Sequence, residues 1–258
     1  MIKAIFFDID GTLVSFKTHA IPESTLQAVR DVRQRGIKVF IATGRPIPFI
    51  NNIADLEYDG IMSSNGASIC TADGDVISHV PVDKDDVRRM VAYQQHTPIA
   101  VTYATDDEAF VTHYNENFQE VFELLDLQTP RVLQPEEALN KDIVQVIAFF
   151  DINQEPHIMN DVLQNCDAQR WHPYFADCIR KGLSKATGID AVCQYLGIDI
   201  SQTMAFGDGG NDKQMLLHAG IGVAMGNASD EVKACADIVT DTVDDEGIAK
   251  ILRNIDQY

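Results

Sequence analysis

The sequence predicts an α/β protein in which a doubly wound parallel sheet is interrupted by an inserted α+β domain. Strand-like apolar runs alternate with helical segments over the first 66 residues and again after Gly182. Such alternation is typical of a parallel sheet with right-handed crossovers. Between the two halves the pattern changes to hairpins and alternating strands. Strands in both halves end in small polar or acidic residues, at the edge where sheets of this kind bind ligands.

The half before the insert is predicted to alternate strands with helices. A proline favours the first turn of a helix and a glycine its end, so Pro22 and Gly36 bound the first helix. The expected elements are strands at residues 3–10, 37–42 and 60–63, helices over 22–36 and from 43 onwards, and a hairpin over 67–80 that turns at Asp73–Gly74.

The remaining elements divide between the insert and the resumed sheet. In the insert we expect helices at 83–95, 117–125 and 156–164, and strands at 99–104, 109–113, 143–150 and around 170–179. After it we expect strands at 203–206, 221–225 and 237–240, and helices at 185–196, after residue 212, near 230 and at the C-terminus. Residues 1–81 and 182–258 would therefore form the core, with residues 82–181 as the inserted domain.

The charge of the chain limits its possible partners. The formal net charge is −19 over 258 residues. Nucleic-acid binding needs a basic surface that replaces counterions, so we expect no nucleic-acid partner and no anionic membrane partner. An acidic protein that handles an anionic substrate needs a local positive site, built from a metal ion, a lysine or helix N-termini.

The cysteines and apolar runs bear on the cellular compartment. The five cysteines are odd in number, widely spaced and without a C-x-x-C pair, which fits neither a disulfide framework nor a zinc site. The longest apolar run, residues 143–150, is far shorter than the roughly 20 residues of a membrane span, and no signal peptide opens the chain. We expect a soluble cytoplasmic protein, and nothing in the sequence implies an obligate protein partner.

The first strand ends in the acid pair Asp8 and Asp10, followed by Gly11. Side chains alternate along an extended chain, so the two carboxylates are predicted to point to one side. The glycine lets the backbone turn away beyond the strand. Two acids at this edge suit a divalent metal, a nucleophilic carboxylate or an acid/base pair.

Other strand ends are expected beside this acid pair. Thr43–Gly44 offers a hydroxyl and backbone N–H groups at a predicted helix start, and Asp208 and Asp212 bring further carboxylates. Lys185, at the start of its helix, can supply positive charge. Because converging acids repel one another, a bound cation is expected, and oxygen ligands suit Mg²⁺ better than zinc.

The order of these motifs resembles the haloacid dehalogenase (HAD) superfamily of phosphohydrolases. The matching stretches are Phe7–Thr12, Ile41–Arg45, Lys185 and Gly207–Asp212, and the spacing fits Lys185 better than Lys181. The insert after the second motif, with Ser64–Ala67 before it, resembles the Cof-type subgroup (subfamily IIB). The resemblance implies a HAD-like Rossmannoid core with an α/β cap that sets specificity, and a phosphatase acting mostly on sugar phosphates.

The resemblance also implies roles for the acids. Asp8 would attack the phosphorus and form an aspartyl-phosphate, which splits one displacement into two. Asp10 would protonate the leaving group and then take a proton from water. Mg²⁺ would be held by Asp8, the backbone carbonyl of Asp10 and Asp208. Asp212 would orient Lys185 or a metal-bound water.

A further set of residues is implied to bind the phosphate or substrate: Gly11, Thr43, Gly44, Asn65, Lys185 and Asn211. The partner would be a small phosphorylated metabolite, with hexose phosphates as the favoured class. The sequence does not identify which metabolite. The aromatic stretch from Trp171 to Phe175 is interpreted as packing in the insert, with a pocket wall as the alternative.

Two other functions stay open at this point. A phosphomutase of the same superfamily would need insert residues that bind a second phosphate, and the insert is sparse in lysine and arginine. A signalling module with a phosphorylated aspartate also combines acids, a threonine and a lysine, but such modules lack an insert of about 100 residues.

Overall fold

The computed structural model describes the backbone of the whole chain and every side chain except that of Trp171. The strands are β1 (Ala4–Phe7), β2 (Lys38–Ala42), β3 (Gly60–Ser63), β4 (Ser68–Thr71), β5 (Val76–His79), β6 (Val101–Ala104), β7 (Ala109–Val111), β8 (Arg131–Val132), β9 (Gln145–Ala148), β10 (Cys166–His172), β11 (Phe175–Arg180), β12 (Thr203–Gly207), β13 (Ile221–Ala224) and β14 (Ile238–Val239).

The α-helices vary from three residues to twelve. They are α1 (Glu23–Gln34), α2 (Lys84–Gln94), α3 (Glu116–Leu124), α4 (Glu155–His157), α5 (Lys185–Leu196), α6 (Lys213–His218), α7 (Asp230–Lys233) and α8 (Gly247–Leu252). Among the described residues, no helix combines the length and the apolar character that crossing a bilayer requires.

Two separate sheets divide the chain as the sequence predicts. The larger has the strand order β14-β13-β12-β1-β2-β3-β4-β5 and the smaller the order β10-β11-β9-β6-β7-β8. Strands from β14 to β3 run parallel, and β4 and β5 add an antiparallel edge. This is the predicted α/β fold, a Rossmannoid core carrying an inserted α+β cap. We call residues 1–81 with 182–258 the core and residues 82–181 the cap.

The boundaries at 81/82 and 181/182 stay a prediction, and the hydrogen bonds near them support it. The backbone N–H of Val82 already donates to the carbonyl of Ile143 within the cap, at 2.7 Å. On the return, the N–H of Lys181 donates to Asn165 of the cap at 2.8 Å. Three residues later, Ser184 caps the first core helix after the cap, α5.

Strand β1 lies at the centre of the larger sheet and is buried on both faces. Ile5 and Phe7 pack with residues of α1 and α8, whereas Ala4 and Phe6 pack with residues of α5 and α6 on the opposite face. The isoleucine and the two phenylalanine side chains each contribute about 1.5–3 kcal/mol when fully buried. Helices on both faces define the doubly wound arrangement and hold β1 rigidly between β2 and β12.

Most predicted elements are present, but the helix expected after β2 is not. Only a single 3₁₀ turn forms there, at Ile47–Phe49, and Ile50 is already extended. Pro46 and Pro48 lack the backbone N–H groups that a longer helix would use. The short strand β8, which pairs with β7, was not predicted.

Candidate active site

Three neighbouring strands of the core sheet end at the same level. The last residue of β1, Phe7, lies opposite Ile41 of β2 and Phe206 of β12. The residues that follow, Asp8 after β1 and Asp208 after β12, therefore emerge side by side at the carboxyl edge of the sheet. This edge is the place where open α/β sheets bind ligands.

Asp8 and Asp10 do not alternate along a strand, so the prediction that strand geometry points them to one side was wrong. Strand β1 stops at Phe7, so the two aspartates lie in the turn beyond it. Backbone hydrogen bonds from Leu13 and Val14 to Asp8 and Ile9 close this turn. Both aspartates nevertheless line the same cavity.

Lys185 is fully buried and forms an ion pair with two carboxylates. Its Nζ lies 2.6 Å from Oδ1 of Asp8 and 2.6 Å from Oδ1 of Asp212. The lysine is the first residue of α5, whose N-terminus is fixed by a capping box between Ser184 and Thr187. Burial alone would lower the pKa of Lys185, but the two carboxylates outweigh it and raise that pKa, so the ammonium stays charged.

The carboxylates around Lys185 carry more negative charge than one lysine balances. Oxygen atoms of Asp8, Asp208 and Asp212 lie within 4.8 Å of one another. Burial raises the pKa of Asp8 well above its ordinary value despite Lys185, and burial together with Asp212 raises the pKa of Asp208 to about 7. A divalent cation among these oxygens would remove the conflict, so the donor set fits Mg²⁺.

Both carboxylate oxygens of Asp212 are held by hydrogen bonds from Lys185 and from its own loop. Oδ1 accepts from Lys185, and Oδ2 accepts from the backbone N–H groups of Asp208 and Gly209 at 2.9 and 2.8 Å. The side chain therefore shapes the 207–212 loop and holds the lysine. The role of Asp212 in orienting Lys185 or a metal-bound water stays a prediction, which these contacts support.

Gly11 gives Asp208 the space to reach the site. Its φ is +79°, and a Cβ there would lie 2.2 Å from Oδ2 of Asp208. Asp208 also accepts hydrogen bonds from the Thr12 hydroxyl and from the side-chain amide of Asn227, both at 3.0 Å. Asn227, which was not among the predicted site residues, also donates to the carbonyl of Gly11.

The residues expected to bind phosphate form a second group. Thr43 is buried, and its hydroxyl accepts from the backbone N–H of Arg45 at 3.0 Å. Asn211 donates to the side-chain oxygen of Asn65 at 3.0 Å. A Cβ on Gly44 would lie 3.2 Å from the Nδ2 atoms of both asparagines. The structure thus brings these four residues together, although no helix starts at Thr43.

Asn65 is placed by an unusual backbone. It and Ser64 both have positive φ, at +50° and +49°, in the tight turn after β3. Its side chain is buried, and its Nδ2 has no hydrogen-bonding partner among the residues whose side chains are described. An amide donor held in this way is available to an anion beside Gly44.

Arg45 is the main site residue that the sequence analysis missed. Its guanidinium contacts both carboxylate oxygens of Asp10, with Nε 2.8 Å from Oδ2 and Nη2 2.5 Å from Oδ1. The signal was present in Thr43–Gly44–Arg45, where only the first two residues were interpreted. Lys181, the alternative to Lys185, lines a separate groove between cap and core.

A cavity of about 430 Å³ lies between these core residues and the cap. Its cap wall is mostly apolar and includes Phe122, Ile147, Phe149 and Phe175. Phe175 is thus both a wall residue and a member of a cap cluster. The interpretation of the Trp171 side chain as packing lies outside the described residues.

Comparison with known proteins identifies the family. Residues 5–252 match the family model for haloacid dehalogenase-like hydrolases. The Bacillus subtilis protein named "Putative phosphatase YkrA" is 35% identical over 258 residues, which covers 98% of this chain and 97% of that protein. The chain therefore belongs to the haloacid dehalogenase superfamily and is an enzyme of its phosphatase group.

Solved structures place the chain within that superfamily. The structure described as the HAD subclass IIB sugar phosphatase BT4131 is 39% identical, with a TM-score of 0.90 and coverage of 99% of this chain and 100% of that one. The HAD phosphatase BT1666 from Bacteroides thetaiotaomicron is 39% identical, with a TM-score of 0.91 and coverage of 100% and 96%. The predicted Cof-type, subclass IIB assignment is confirmed.

Proposed function

We propose that this chain is a Mg²⁺-dependent, cytoplasmic phosphatase of small phosphorylated metabolites, with hexose and other sugar phosphates as substrates. The observation that carries the proposal is the buried Asp8, paired with Lys185 beside Asp208, at the floor of a cavity that the cap covers. The similarity to a protein described as a sugar phosphatase supports the substrate class.

In the first step, an oxygen of the Asp8 carboxylate forms a bond to phosphorus while the bond to the leaving oxygen breaks. The Asp10 carboxylic acid gives its proton to that oxygen, so the product leaves as an alcohol. Arg45 keeps Asp10 oriented towards the cavity. Thr43, the Gly44 N–H, Asn65, Asn211 and Lys185 hold the other phosphoryl oxygens, and Gly11 leaves room beside them.

In the second step, the Asp10 carboxylate takes a proton from water, and the resulting hydroxide attacks phosphorus. The bond from Asp8 to phosphorus breaks, which releases inorganic phosphate and regenerates the Asp8 carboxylate and the Asp10 carboxylic acid. Mg²⁺, held by Asp8, the Asp10 carbonyl and Asp208 with Asp212 behind them, would neutralise charge on the phosphoryl oxygens when bound.

A mutase is less well supported than a phosphatase. Returning the phosphoryl group to a bisphosphorylated sugar needs cap cations that hold the second phosphate. Among the described cap residues that line the cavity, Arg170 is the one cation, and its Nε already pairs with Glu155 at 2.7 Å. A receiver-type signalling module has no such covered cavity.

The test is phosphate release from hexose phosphates, pentose phosphates, nucleotides, pyridoxal phosphate and an aryl phosphate, with and without Mg²⁺. Asp8→Asn is the matched blank, because it keeps the side-chain shape and removes the nucleophile. We expect Mg²⁺-dependent release that is greatest for sugar phosphates and absent in Asp8→Asn. Undiminished release by folded Asp8→Asn would remove Asp8 as nucleophile, and a lasting phospho-Asp8 without release would indicate a signalling module.

A further inference from the structure

One polar side chain of the cap is buried in the cavity wall and has no hydrogen-bonding partner in the described part of the chain. Gln145 is the first residue of strand β9 and is fully buried, and neither its side-chain oxygen nor its side-chain nitrogen has a hydrogen-bonding partner among the side chains and backbone that the structure describes. It lines the cavity that also contains Asp8 and Asp10. Leaving both ends of a buried amide unpaired is costly, so such a group calls for an explanation.

The position of Gln145 on its strand aims it at the substrate space. Gln145, Ile147 and Phe149 alternate along β9 and its end, and all three line the cavity, whereas Val146 and Ala148 belong to the apolar cluster on the other face. The core catalytic residues are on the opposite side of the same space. The amide therefore faces the part of a substrate that lies beyond the phosphate.

A second polar group accompanies it on the neighbouring strand. Asp177 of β11 lies directly opposite Ile147, and so diagonally across from Gln145, and it also lines the cavity. A carboxylate has about four acceptor positions and no donor when ionised. Phe149 and Phe175 line the same cavity further along the two strands, so the wall combines hydrogen-bonding groups with apolar surface.

We propose that Gln145 is a specificity-determining residue that hydrogen-bonds ring hydroxyls of the leaving group in a sugar phosphate. This inference rests on the proposed function and deepens it. The amide supplies one acceptor and two donors, which matches hydroxyls that both donate and accept.

The surroundings also favour a neutral, cyclic leaving group. The apolar side chains pack against the carbon-bearing faces of a ring, while its hydroxyl edge meets Gln145. The positive charge of the cap residue Arg170 is balanced by its ion pair with Glu155. Its Nη2 has no partner among the described residues, so Arg170 can still donate a hydrogen bond to a neutral group. A second phosphate has no matched site in this wall.

The experiment compares wild type with Gln145→Met, which keeps the length of the side chain and removes both polar atoms. The substrates are a hexose 6-phosphate, its monodeoxy analogues and acetyl phosphate, which carries no ring. We expect Gln145→Met to lower kcat/KM for the hexose phosphate by about 10- to 100-fold. Its activity on acetyl phosphate should remain that of the wild type.

The deoxy analogues show whether the loss is due to the proposed hydrogen bond. Wild type should hydrolyse at least one monodeoxy analogue less efficiently than the hexose phosphate. Gln145→Met should lose that difference, because removing the substrate hydroxyl and removing the Gln145 amide eliminate the same hydrogen bond. A structural role of Gln145 would not produce this coupling. Gln145→Glu keeps the shape of the side chain and replaces the donor nitrogen by an oxygen, so it should also lose the discrimination among deoxy analogues. It is the variant to use if Gln145→Met does not fold.

Thr102→Val is the matched control. Thr102 lies in β6 opposite Ile147 of β9, is also fully buried with an unpartnered hydroxyl, and is not among the cavity-lining residues. Both Gln145→Met and Thr102→Val should melt at a higher temperature than wild type, since each removes an unpaired buried polar group. Only Gln145→Met should change the selectivity.

Two results would overturn the inference. One is a folded Gln145→Met protein that keeps the wild-type preference among the deoxy analogues. The other is a wild type that hydrolyses acetyl phosphate in the presence of Mg²⁺ but no sugar phosphate. By contrast, failure of the wild type to release phosphate from any compound would contradict the proposed function itself.

Discussion

Arg45 holds Asp10 by both carboxylate oxygens and at the same time contacts the cap. Its Nη2, which donates to Asp10, is also 3.5 Å from the carbonyl oxygen of Leu125 at the end of α3. Its Nη1 donates to the carbonyl of Phe49 at 3.0 Å. The orientation of the proposed general acid is therefore linked to a side chain that reaches across the domain interface.

Replacing Arg45 by lysine should slow the step that depends on acid catalysis. Lysine cannot make the bidentate contact, so Asp10 loses its fixed orientation. We expect phosphorylation of Asp8 by a sugar phosphate to slow by about 10- to 100-fold, less than the roughly 10²- to 10⁴-fold that a general acid contributes, because Asp10 itself remains. Rapid-quench single-turnover experiments measure this rate.

The aryl phosphate provides the control for that experiment. Its leaving group needs little protonation, so Arg45→Lys should slow phosphorylation by p-nitrophenyl phosphate much less. An equal loss with both substrates would contradict a role of Arg45 in orienting the acid.

Stabilisation by Mg²⁺ should depend on pH. Asp208 has a pKa of about 7 in the metal-free folded protein and an ordinary value near 4 in the unfolded chain. Between these values the folded protein binds the extra proton, so its stability through this group falls as the pH rises from about 4 to 7. A bound cation reverses this preference for the protonated form, because it binds the ionised carboxylate of Asp208.

The increase in melting temperature with saturating Mg²⁺ should therefore be larger at pH 8 than at pH 5. Asp208→Asn serves as the reference, since it removes the titrating group. The same Mg²⁺-induced shift at both pH values in wild type would contradict the cation site at Asp208.

Lys185→Met should destabilise the core and make it dependent on the cation. The substitution leaves Asp8 and Asp212 buried without their common partner, and breaking a buried ion pair in this way costs about 3–5 kcal/mol. Chemical denaturation measures the free energy of unfolding. Added Mg²⁺ should recover part of the loss, because it restores positive charge beside Asp8.

Lys213→Met is the control for this substitution. Lys213 pairs with the exposed Glu231 at 2.7 Å on the surface of the core. Because water screens that pair, its removal should leave the free energy of unfolding almost unchanged. Equal effects of the two lysine substitutions would mean that the buried pair has no special importance.

Gly11→Ala should lower the affinity for Mg²⁺ far more than Gly36→Ala does. Both glycines have a left-handed backbone, with φ of +79° and +84°, so alanine costs about 1–2 kcal/mol at either position. At Gly36 no atom lies within 4 Å of the added carbon, whereas at Gly11 it meets Asp208 at 2.2 Å.

Isothermal titration with Mg²⁺ distinguishes the two variants. Gly36→Ala should bind the cation as wild type does, because only the backbone is strained. Gly11→Ala must displace the Asp208 carboxylate and should bind at least about 10-fold more weakly. Wild-type affinity in Gly11→Ala would show that Asp208 is not a ligand.

The sequence was most informative where local patterns decide the structure. The apolar run before Asp8 and the glycine-rich loop after β12 each place acids at strand ends, and parallel pairing then brings them together. The α5 bounds, Lys185–Leu196, follow from the capping residue Ser184 and the glycine at 197. Residues adjacent in the sequence are enough to predict these features.

Contacts between distant segments were beyond such patterns. The pairing of Arg45 with Asp10 depends on a turn that the two prolines shorten, and a helix had been predicted there. In the sequence, Gln145 is one polar residue in an apolar strand. Its role in the proposed specificity becomes visible only in the cavity that both domains form. Tertiary context, which no local period encodes, decides both cases.

The placement of β1 between β2 and β12 has a consequence for how the protein is made. Lys185 follows Asp8 by 177 residues, and the cap lies between them. During synthesis the cap can emerge and fold as a unit before β12 leaves the ribosome. Until β12 has emerged, β1 pairs with β2 alone, and the backbone N–H and C=O groups of its other edge lack their strand partner. The catalytic centre, which needs Asp208 after β12, is therefore completed only after the whole cap has been made.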